Sequence, residues 1–228
     1  MIEFVFLDLD DTILDFKKAE SVAIHKTLLN AGVDPTDENK ALYSRINKAH
    51  WEMLERGEID RDQVKVLRFA RLFEALGIDG DAEATSQEYV RLLGIGHWFL
   101  PGAEAAVEAL SKKYRLFLAS NGNASVQKSR LTSANLYRFF EKCFVSEEIG
   151  YNKPSKGYFE AAFAQIPGFD PAKAIMVGDS LTSDIQGGIN AGIQTCWVNP
   201  SHAPARPDIQ PDYQIESITQ LEALLETL

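Results

Sequence analysis

The chain has 228 residues, of which 45% are hydrophobic and 25% charged, and it carries a formal net charge of −10 at pH 7. This is the composition of an ordinary globular protein with a full hydrophobic core, which excludes a disordered, collagenous or coiled-coil chain. Because the charge is strongly negative, the chain is a poor candidate for binding nucleic acid, and a cation would have to mediate the binding of an anionic substrate.

The N-terminal sequence and the two cysteines indicate a protein of a reducing compartment. The apolar residues 4–7 precede Asp8 without a basic segment before them, so we expect no signal peptide. No stretch reaches the length of a membrane span. Cys143 and Cys196 stand far apart in apolar runs, which predicts two buried structural thiols and neither a disulfide nor a metal pair. We therefore expect a cytoplasmic protein that does not contact a membrane.

The chain begins with one short strand and continues with a long helical block. The apolar run 4–7 has the length of a strand. Residues 16–95 have helical periodicity and few β-branched residues, which predicts an all-helical domain. The predicted apolar stripes are Leu42, Ile46, Ala49 and Met53 on one helix, and Val66, Phe69, Ala70, Phe73 and Leu76 on another.

From Pro101-Gly102 onward, helix and strand patterns alternate. Short apolar runs at 116–119, 143–146, 174–177 and 195–198 predict strands that are covered on both faces. A capping box of Ser217 and Gln220 predicts the start of the last helix. Alternation of this kind predicts a doubly wound parallel sheet of the α/β class, with the helical block inserted after its first strand.

Polar side chains follow the predicted strands at the points where the strands end. Asp8 and Asp10 follow the first strand and point the same way if strand geometry continues beyond it. The later strands are followed by Ser120-Asn121-Gly122, by Lys153, and by Asp179 and Asp184. Because reacting groups collect at the carboxyl ends of parallel strands, we expect these side chains to converge.

Carboxylates that converge need a positive partner. At about 5 Å and an effective dielectric constant of about 20, two of them repel by about 3 kcal/mol. Oxygen ligands in this number suit a hard divalent cation, above all Mg²⁺, and the sequence has no Cys/His cluster with zinc spacing. An isolated Asp-x-Asp is usually a turn or cap, so the metal prediction depends on all the strand ends together.

Taken in order, these motifs resemble those of the haloacid dehalogenase superfamily, and the resemblance covers almost the whole chain. The matching segments are Asp8-Leu9-Asp10-Asp11-Thr12, Ser120-Asn121-Gly122, Lys153-Pro154 and Gly178-Asp179-Ser180-Leu181-Thr182-Ser183-Asp184-Ile185. The resemblance implies a Rossmann-like catalytic core over residues 1–15 and 96–228, and an inserted helical cap over residues 16–95.

The resemblance also implies catalytic and phosphate-binding roles. Asp8 would attack phosphorus and become an aspartyl phosphate, and Asp10 would protonate the leaving oxygen and then activate a water molecule. Ser120-Asn121-Gly122 would bind the phosphoryl oxygens. Lys153 would neutralise charge on both the nucleophile and the phosphate, where it would serve catalysis and binding.

By the same resemblance, Mg²⁺ would be held by Asp8, by the main-chain carbonyl of Asp10 and by Asp179. Asp184 would support the metal through water or position Lys153. These roles together describe a Mg²⁺-dependent phosphomonoesterase acting on a small-molecule phosphate ester. A dehalogenase of the same superfamily attacks carbon, needs no metal and lacks the second acidic residue, so the presence of Asp10 favours a phosphatase.

One alternative is open for the substrate, and another for the class of protein. Several segments resemble the pyrimidine 5′-nucleotidase branch, which implies a nucleoside monophosphate. They are 50–52 through 58–61, 68–69, 153–154 with 158–159, 166–169 and 195–200. A phosphatase for a sugar phosphate or phosphoglycolate remains an alternative, because the motif residues contact only the phosphoryl group. A non-enzymatic phosphoreceiver is a remote alternative, since such modules have about half this length and no helical insertion. The sequence does not define the oligomeric state.

Overall fold

A computed structural model describes residues 1–204 and 206–228. These residues form two compact units, one of residues 1–15 with 97–228 and the other of residues 16–96. The first unit contains a parallel sheet and is called the sheet unit below; the second contains four helices and is called the helical unit. Gly96 belongs to the helical unit because its amide donates to the carbonyl of Leu93, in the last turn of that unit's final helix.

The sheet unit is organised around parallel strands. These are β1 Phe4–Leu7, β2 Arg115–Ser120, β3 Lys142–Val145, β4 Ala174–Gly178, β5 Gln194–Val198 and β6 Tyr213–Ile215. They form a six-stranded sheet in the order β3-β2-β1-β4-β5-β6, and every neighbouring pair is parallel. This confirms the doubly wound α/β fold. Strand order reverses beside β1, so a crevice is expected outside the carboxyl ends of β1 and β4.

Each face of the sheet has its own hydrophobic core because successive side chains of a strand point to opposite faces. In β1, Phe4 and Phe6 pack on one face with aromatic residues of β2 and β3, while Val5 and Leu7 pack on the other with leucines of β2. All four side chains are fully buried. This double burial explains why the strand reads as a continuous apolar run.

Four helices make up the helical unit: α1 Phe16–Asn30, α2 Asp37–Glu55, α3 Arg61–Leu76 and α4 Ala82–Leu93. The side chains of Thr36, Asp60 and Asp81 accept backbone N–H groups at the starts of α2, α3 and α4. The aromatic rings of Tyr43, Phe69 and Tyr89 pack together with centroids 5.2 to 5.4 Å apart.

The apolar stripes predicted for α2 and α3 were correct in part: the stripe on α3 contains two buried phenylalanines, but each stripe also contains an exposed residue. Ala49 and Ala70 belong to those stripes but are exposed, whereas Asn47 and Arg68 are buried. Arg68 Nη1 donates to Asn47 Oδ1 at 2.9 Å, and Asn47 Nδ2 donates to Glu20 Oε1 at 2.7 Å. A hydrophobic pattern misses these positions because the buried polar groups satisfy one another.

The described residues of the sheet unit form six more helices: α5 Ala103–Ser111, α6 Ala124–Ser133, α7 Ser146–Ile149, α8 Lys156–Phe163, α9 Gln186–Ala191 and α10 Leu221–Leu225. No helix among the residues described is long and apolar enough to cross a bilayer. The sequence pattern did not predict β6, because it has three residues of which one is buried.

Two local predictions need correction. The capping box was wrong: Ser217 Oγ accepts from the amide of Thr219, and a 3₁₀ turn over residues 218–220 precedes α10. The two cysteines are free thiols, but Cys143 is partly exposed and Cys196 is buried. Burial raises the pKa of both thiols to about 12, so neither is a reactive thiolate at neutral pH.

Candidate active site

The loop after β1 presents two carboxylates at the carboxyl edge of the sheet. Asp8 continues the pairing of β1, since its amide donates to the carbonyl of Val177 at 2.9 Å. The chain then turns back tightly, with Asp11 at φ 55° and its amide donating to the carbonyl of Leu14. Aspartate tolerates this left-handed conformation better than most residues. Asp8 is buried and Asp10 is partly exposed.

Lys153 connects the carboxylates at the centre of the site. Its side chain is 1% exposed, and its ammonium group donates to Asp8 Oδ1 at 2.7 Å, to Asp184 Oδ1 at 2.6 Å and to the carbonyl oxygen of Ala119 at 2.6 Å. An ammonium group has three protons, so all three have an acceptor. Burial opposes the charge of Lys153, but the carboxylates of Asp184 and Asp8 outweigh burial and raise its pKa.

Asp184 is fixed by the turn that follows β4. A single π-helical turn, Leu181–Ile185, begins after Ser180, whose amide donates to Asp184 Oδ2 at 3.0 Å. A Cβ atom on Gly178 would lie 2.1 Å from that same oxygen. Glycine at position 178 is therefore what allows the carboxylate to lie against the end of the strand.

Asp8, Asp179 and Asp184 form an acidic cluster in which one carboxylate oxygen from each lies within 4.8 Å of the others. With Lys153 as partner, these groups sum to a charge of −2 when all are ionised. Burial raises the pKa of Asp8 to about 7; Lys153 lowers it, and Asp184 and Asp10 raise it further. A divalent cation would balance the charge, and an all-oxygen donor set fits a hard one such as Mg²⁺.

Ser120 ends β2 with its hydroxyl directed into a set of donors. Its side chain is 1% exposed, and Oγ accepts from the amide of Gly122 at 3.0 Å and from Gln127 Nε2 at 2.9 Å. A serine hydroxyl has two lone pairs and one proton. Both lone pairs are used here, so the group that Ser120 offers to a ligand is its proton.

Asn121 holds the loop that carries Lys153. Asn121 Nδ2 donates to the carbonyl of Lys153 at 2.8 Å, and Asn121 Oδ1 accepts from the amide of Lys153 at 2.8 Å. Asn121 Nδ2 also contacts Ser183 Oγ at 3.2 Å. The side chain of Asn121 thus links three of the predicted motifs, and a role in binding phosphate stays a prediction for its main chain.

The sequence motifs did not identify the partners of Asp10. Both of its carboxylate oxygens accept from α6, with Gln127 Nε2 on Oδ2 at 2.7 Å and Arg130 Nη1 on Oδ1. Gln127 and Arg130 are buried polar residues three positions apart on a helix that begins at Ala124, two positions after Gly122. That spacing and position, on the helix following a site loop, were the signal available in the sequence.

Another residue missed by the motifs supports Asp179. Trp197 on β5 is 4% exposed, and its Nε1 donates to the carbonyl oxygen of Asp179 at 2.8 Å. The predicted residues thus fall into two linked groups. Asp8, Lys153, Asp179 and Asp184 form the acidic group. Asp10 and Ser120 form the second group, because the side chain of Gln127 on α6 donates hydrogen bonds to both.

Comparisons with known proteins show the family and the fold of the chain. The sequence matches the haloacid dehalogenase-like hydrolase family over residues 2–192. The crystal structure of the HAD-hydrolase YfnB of Bacillus subtilis, bound to magnesium, has a TM-score of 0.94 at 38% identity and covers 98% of both chains.

Two relatives are named for a substrate. The pyrimidine 5′-nucleotidase PynA of Streptococcus pneumoniae is 38% identical over 96% of this chain and 93% of its own. The pyrimidine 5′-nucleotidase YjjG of Escherichia coli is 30% identical over 98% of this chain and 97% of its own.

Proposed function

Because the chain belongs to the haloacid dehalogenase-like hydrolase family, we propose that it is a Mg²⁺-dependent phosphomonoesterase acting on pyrimidine nucleoside 5′-monophosphates. The observation that carries the proposal is the buried Asp8 at the carboxyl end of β1, bound by Lys153 within the acidic cluster. The candidate residues from the sequence motifs all belong to the sheet unit. We accordingly assign the chemistry to the sheet unit, residues 1–15 and 97–228, and propose the helical unit, residues 16–96, as the cap domain of this family.

The proposed reaction has two displacements at phosphorus. In the first, a carboxylate oxygen of Asp8 forms a bond to phosphorus while the bond to the ester oxygen breaks, and that oxygen takes a proton from Asp10. In the second, Asp10 removes a proton from water as the water oxygen bonds to phosphorus. The bond between phosphorus and Asp8 then breaks, which returns the carboxylate and releases phosphate.

The other residues of the site position groups and balance charge. Lys153 orients Asp8 by holding one of its oxygens, which leaves the other to attack. Ser120 donates its proton to a phosphoryl oxygen, and the main chain of Asn121 and Gly122 adds further contacts. Asp8, Asp179 and the carbonyl of Asp10 would hold Mg²⁺, which would supply positive charge that offsets the carboxylates and the phosphate. Asp184 accepts a hydrogen bond from the Lys153 ammonium group and so helps to position it.

The nucleotide substrate is supported by two relatives, PynA and YjjG, that align along nearly their full lengths. It is tested by measuring phosphate release from a panel of pyrimidine and purine monophosphates, sugar phosphates and phosphoglycolate. We expect the highest kcat/KM with pyrimidine monophosphates. A preference for a sugar phosphate would replace the substrate proposal but leave the phosphatase proposal standing.

The nucleophile is tested separately with Asp8→Asn. An amide does not attack phosphorus, so this variant should lose turnover of every ester in the panel. Asp79→Asn, an exposed carboxylate in the helical unit, is the matched control and should keep full activity. Turnover that survives in Asp8→Asn would exclude the aspartyl-phosphate route.

A further inference from the structure

The face of α6 that lies against the site carries two buried polar side chains. Gln127 is 1% exposed and Arg130 is 0% exposed, although they lie on a helix of ten residues whose neighbours Lys128 and Ser129 are exposed. A buried guanidinium is costly to desolvate, and replacing a buried ion pair with apolar residues is often neutral or stabilising. A contribution to fold stability is therefore a weak explanation for the burial of Gln127 and Arg130.

The contacts of these two side chains join the two site loops. Gln127 Nε2 donates to Asp10 Oδ2 at 2.7 Å and to Ser120 Oγ at 2.9 Å. Arg130 Nη1 donates to Asp10 Oδ1 and also contacts Gln127 Oε1 at 3.2 Å. One amide thus binds both the loop after β1 and the end of β2, and the guanidinium holds that amide and the carboxylate together.

The loop before α6 is shaped to admit the glutamine. A Cβ atom on Gly122 would lie 2.1 Å from Gln127 Nε2 and 2.6 Å from Gln127 Cδ. The backbone of the second motif therefore approaches the Gln127 side chain as closely as glycine allows. The amide of the same glycine donates to Ser120 Oγ at 3.0 Å. Ser120, Gly122 and Gln127 are thus in mutual contact.

We propose that Gln127 and Arg130 are positioning residues that hold Asp10 and Ser120 at a fixed separation. Resting on the proposed function, this assigns them the task of aligning the proton donor with the bound phosphoryl group. Each carboxylate oxygen of Asp10 has a second lone pair, so contact with α6 leaves the group able to meet the leaving oxygen. Arg130 fixes the direction of Asp10 alone, whereas Gln127 fixes both Asp10 and Ser120.

The test compares two esters in the same protein sample. A nucleoside monophosphate has a poor leaving group that needs a proton, whereas p-nitrophenyl phosphate has a good leaving group that does not. In Arg130→Met, we expect kcat/KM with the nucleotide to fall by about 100-fold, within the range that general acids contribute, and kcat/KM with the aryl ester to fall by less than about fivefold. We compare kcat/KM because it covers only the steps up to formation of the aspartyl phosphate, and so excludes the second displacement, in which Asp10 acts on water whichever ester was used.

Gln127→Met gives a second, independent readout. Because it also removes a donor to Ser120, it should lower kcat/KM for both esters, and for the nucleotide by a larger factor than for the aryl ester. Arg130→Lys keeps a charged donor and should recover part of the lost nucleotide activity. Lys128→Ala removes an exposed positive charge from the same helix and should behave as wild type.

The ratio of activities with the two esters does not depend on how much of a variant is folded, so a destabilised sample still gives a result. If kcat/KM falls in equal proportion for the two esters in both Arg130→Met and Gln127→Met, the pair is structural and the proposal is wrong. Failure of the proposed function is distinguishable, because Asp8→Asn would then keep its activity or the wild-type protein would hydrolyse neither ester.

Discussion

At the scale of single residues, Lys153 determines whether the buried carboxylates are tolerated. Its side chain lies between Asp8 and Asp184, and the exposed fractions of the Lys153 and Asp184 side chains are both 1%. Water cannot screen charges at such positions, and removing one member of a buried pair typically costs about 3 to 5 kcal/mol. The Lys153 ammonium group therefore stabilises the fold in addition to its role in the site.

We predict that Lys153→Met lowers the free energy of unfolding by about 3 to 5 kcal/mol, because it leaves two carboxylates without their partner. Urea unfolding measures this directly. The double variant Lys153→Met with Asp184→Asn removes one of the unpaired charges, so it should regain at least about 1 kcal/mol. Losses that simply add in the double variant would contradict the pairing described here.

At the scale of elements, the predictable part of the site lies where a strand ends. The run 4–7 predicted β1 with its observed bounds, because four side chains buried on alternate faces leave an uninterrupted apolar pattern. The polar residues after β1, β2 and β4 then followed from topology, since parallel strands deliver their carboxyl ends to one edge.

The unpredicted part depends on which face of a helix is buried. Gln127 and Arg130 read as surface residues of α6, just as Asn47 and Arg68 read as surface residues of the helical unit. Each is buried because it finds a polar partner elsewhere in the chain, and Asp10 is more than a hundred positions away from its partners. Local periodicity does not contain that information.

The junction between β4 and the following π-helical turn supplies an element-scale prediction. Gly178→Ala adds a Cβ atom at 2.1 Å from Asp184 Oδ2, so the carboxylate must move away from Lys153 and the acidic cluster. We expect a loss of stability of about 1 to 3 kcal/mol, as for other overpacked cores. Affinity for Mg²⁺ should weaken as well, and titration calorimetry measures it.

Gly32→Ala is the control for this substitution. Gly32 has a left-handed backbone conformation, with φ at +73°, which is unfavourable for alanine. No atom lies within 4 Å of the Cβ that the substitution adds. It should cost about 1 to 2 kcal/mol through the left-handed backbone alone and leave Mg²⁺ affinity unchanged. Equal weakening of Mg²⁺ binding in both variants would mean that general destabilisation accounts for the effect.

At the scale of the whole molecule, the proposed metal and the fold are thermodynamically linked. A ligand that binds the folded chain at about 100 times its Kd adds about 2.7 kcal/mol to the free energy of unfolding. In the metal-free chain, burial raises the pKa of Asp8 from 3.8 to about 7, so Asp8 is protonated at acidic pH and the repulsion within the acidic cluster is reduced. Metal-free stability should therefore fall as pH rises from about 4 to about 7, because the unfolded chain loses that proton first.

Mg²⁺ should reverse this loss, and its effect should grow with pH. At about pH 5.5 the cation must displace a proton from Asp8, which weakens its apparent affinity by about 30-fold relative to pH values above about 7. Thermal unfolding with and without EDTA should show a larger Mg²⁺-dependent rise in Tm at about pH 8 than at about pH 5.5. In Asp8→Asn the titrating group is absent, so any remaining stabilisation by Mg²⁺ should lose this dependence on pH. A wild-type Mg²⁺ effect of equal size at both pH values would mean that Asp8 does not contact the metal, and the proposed site would fail with it.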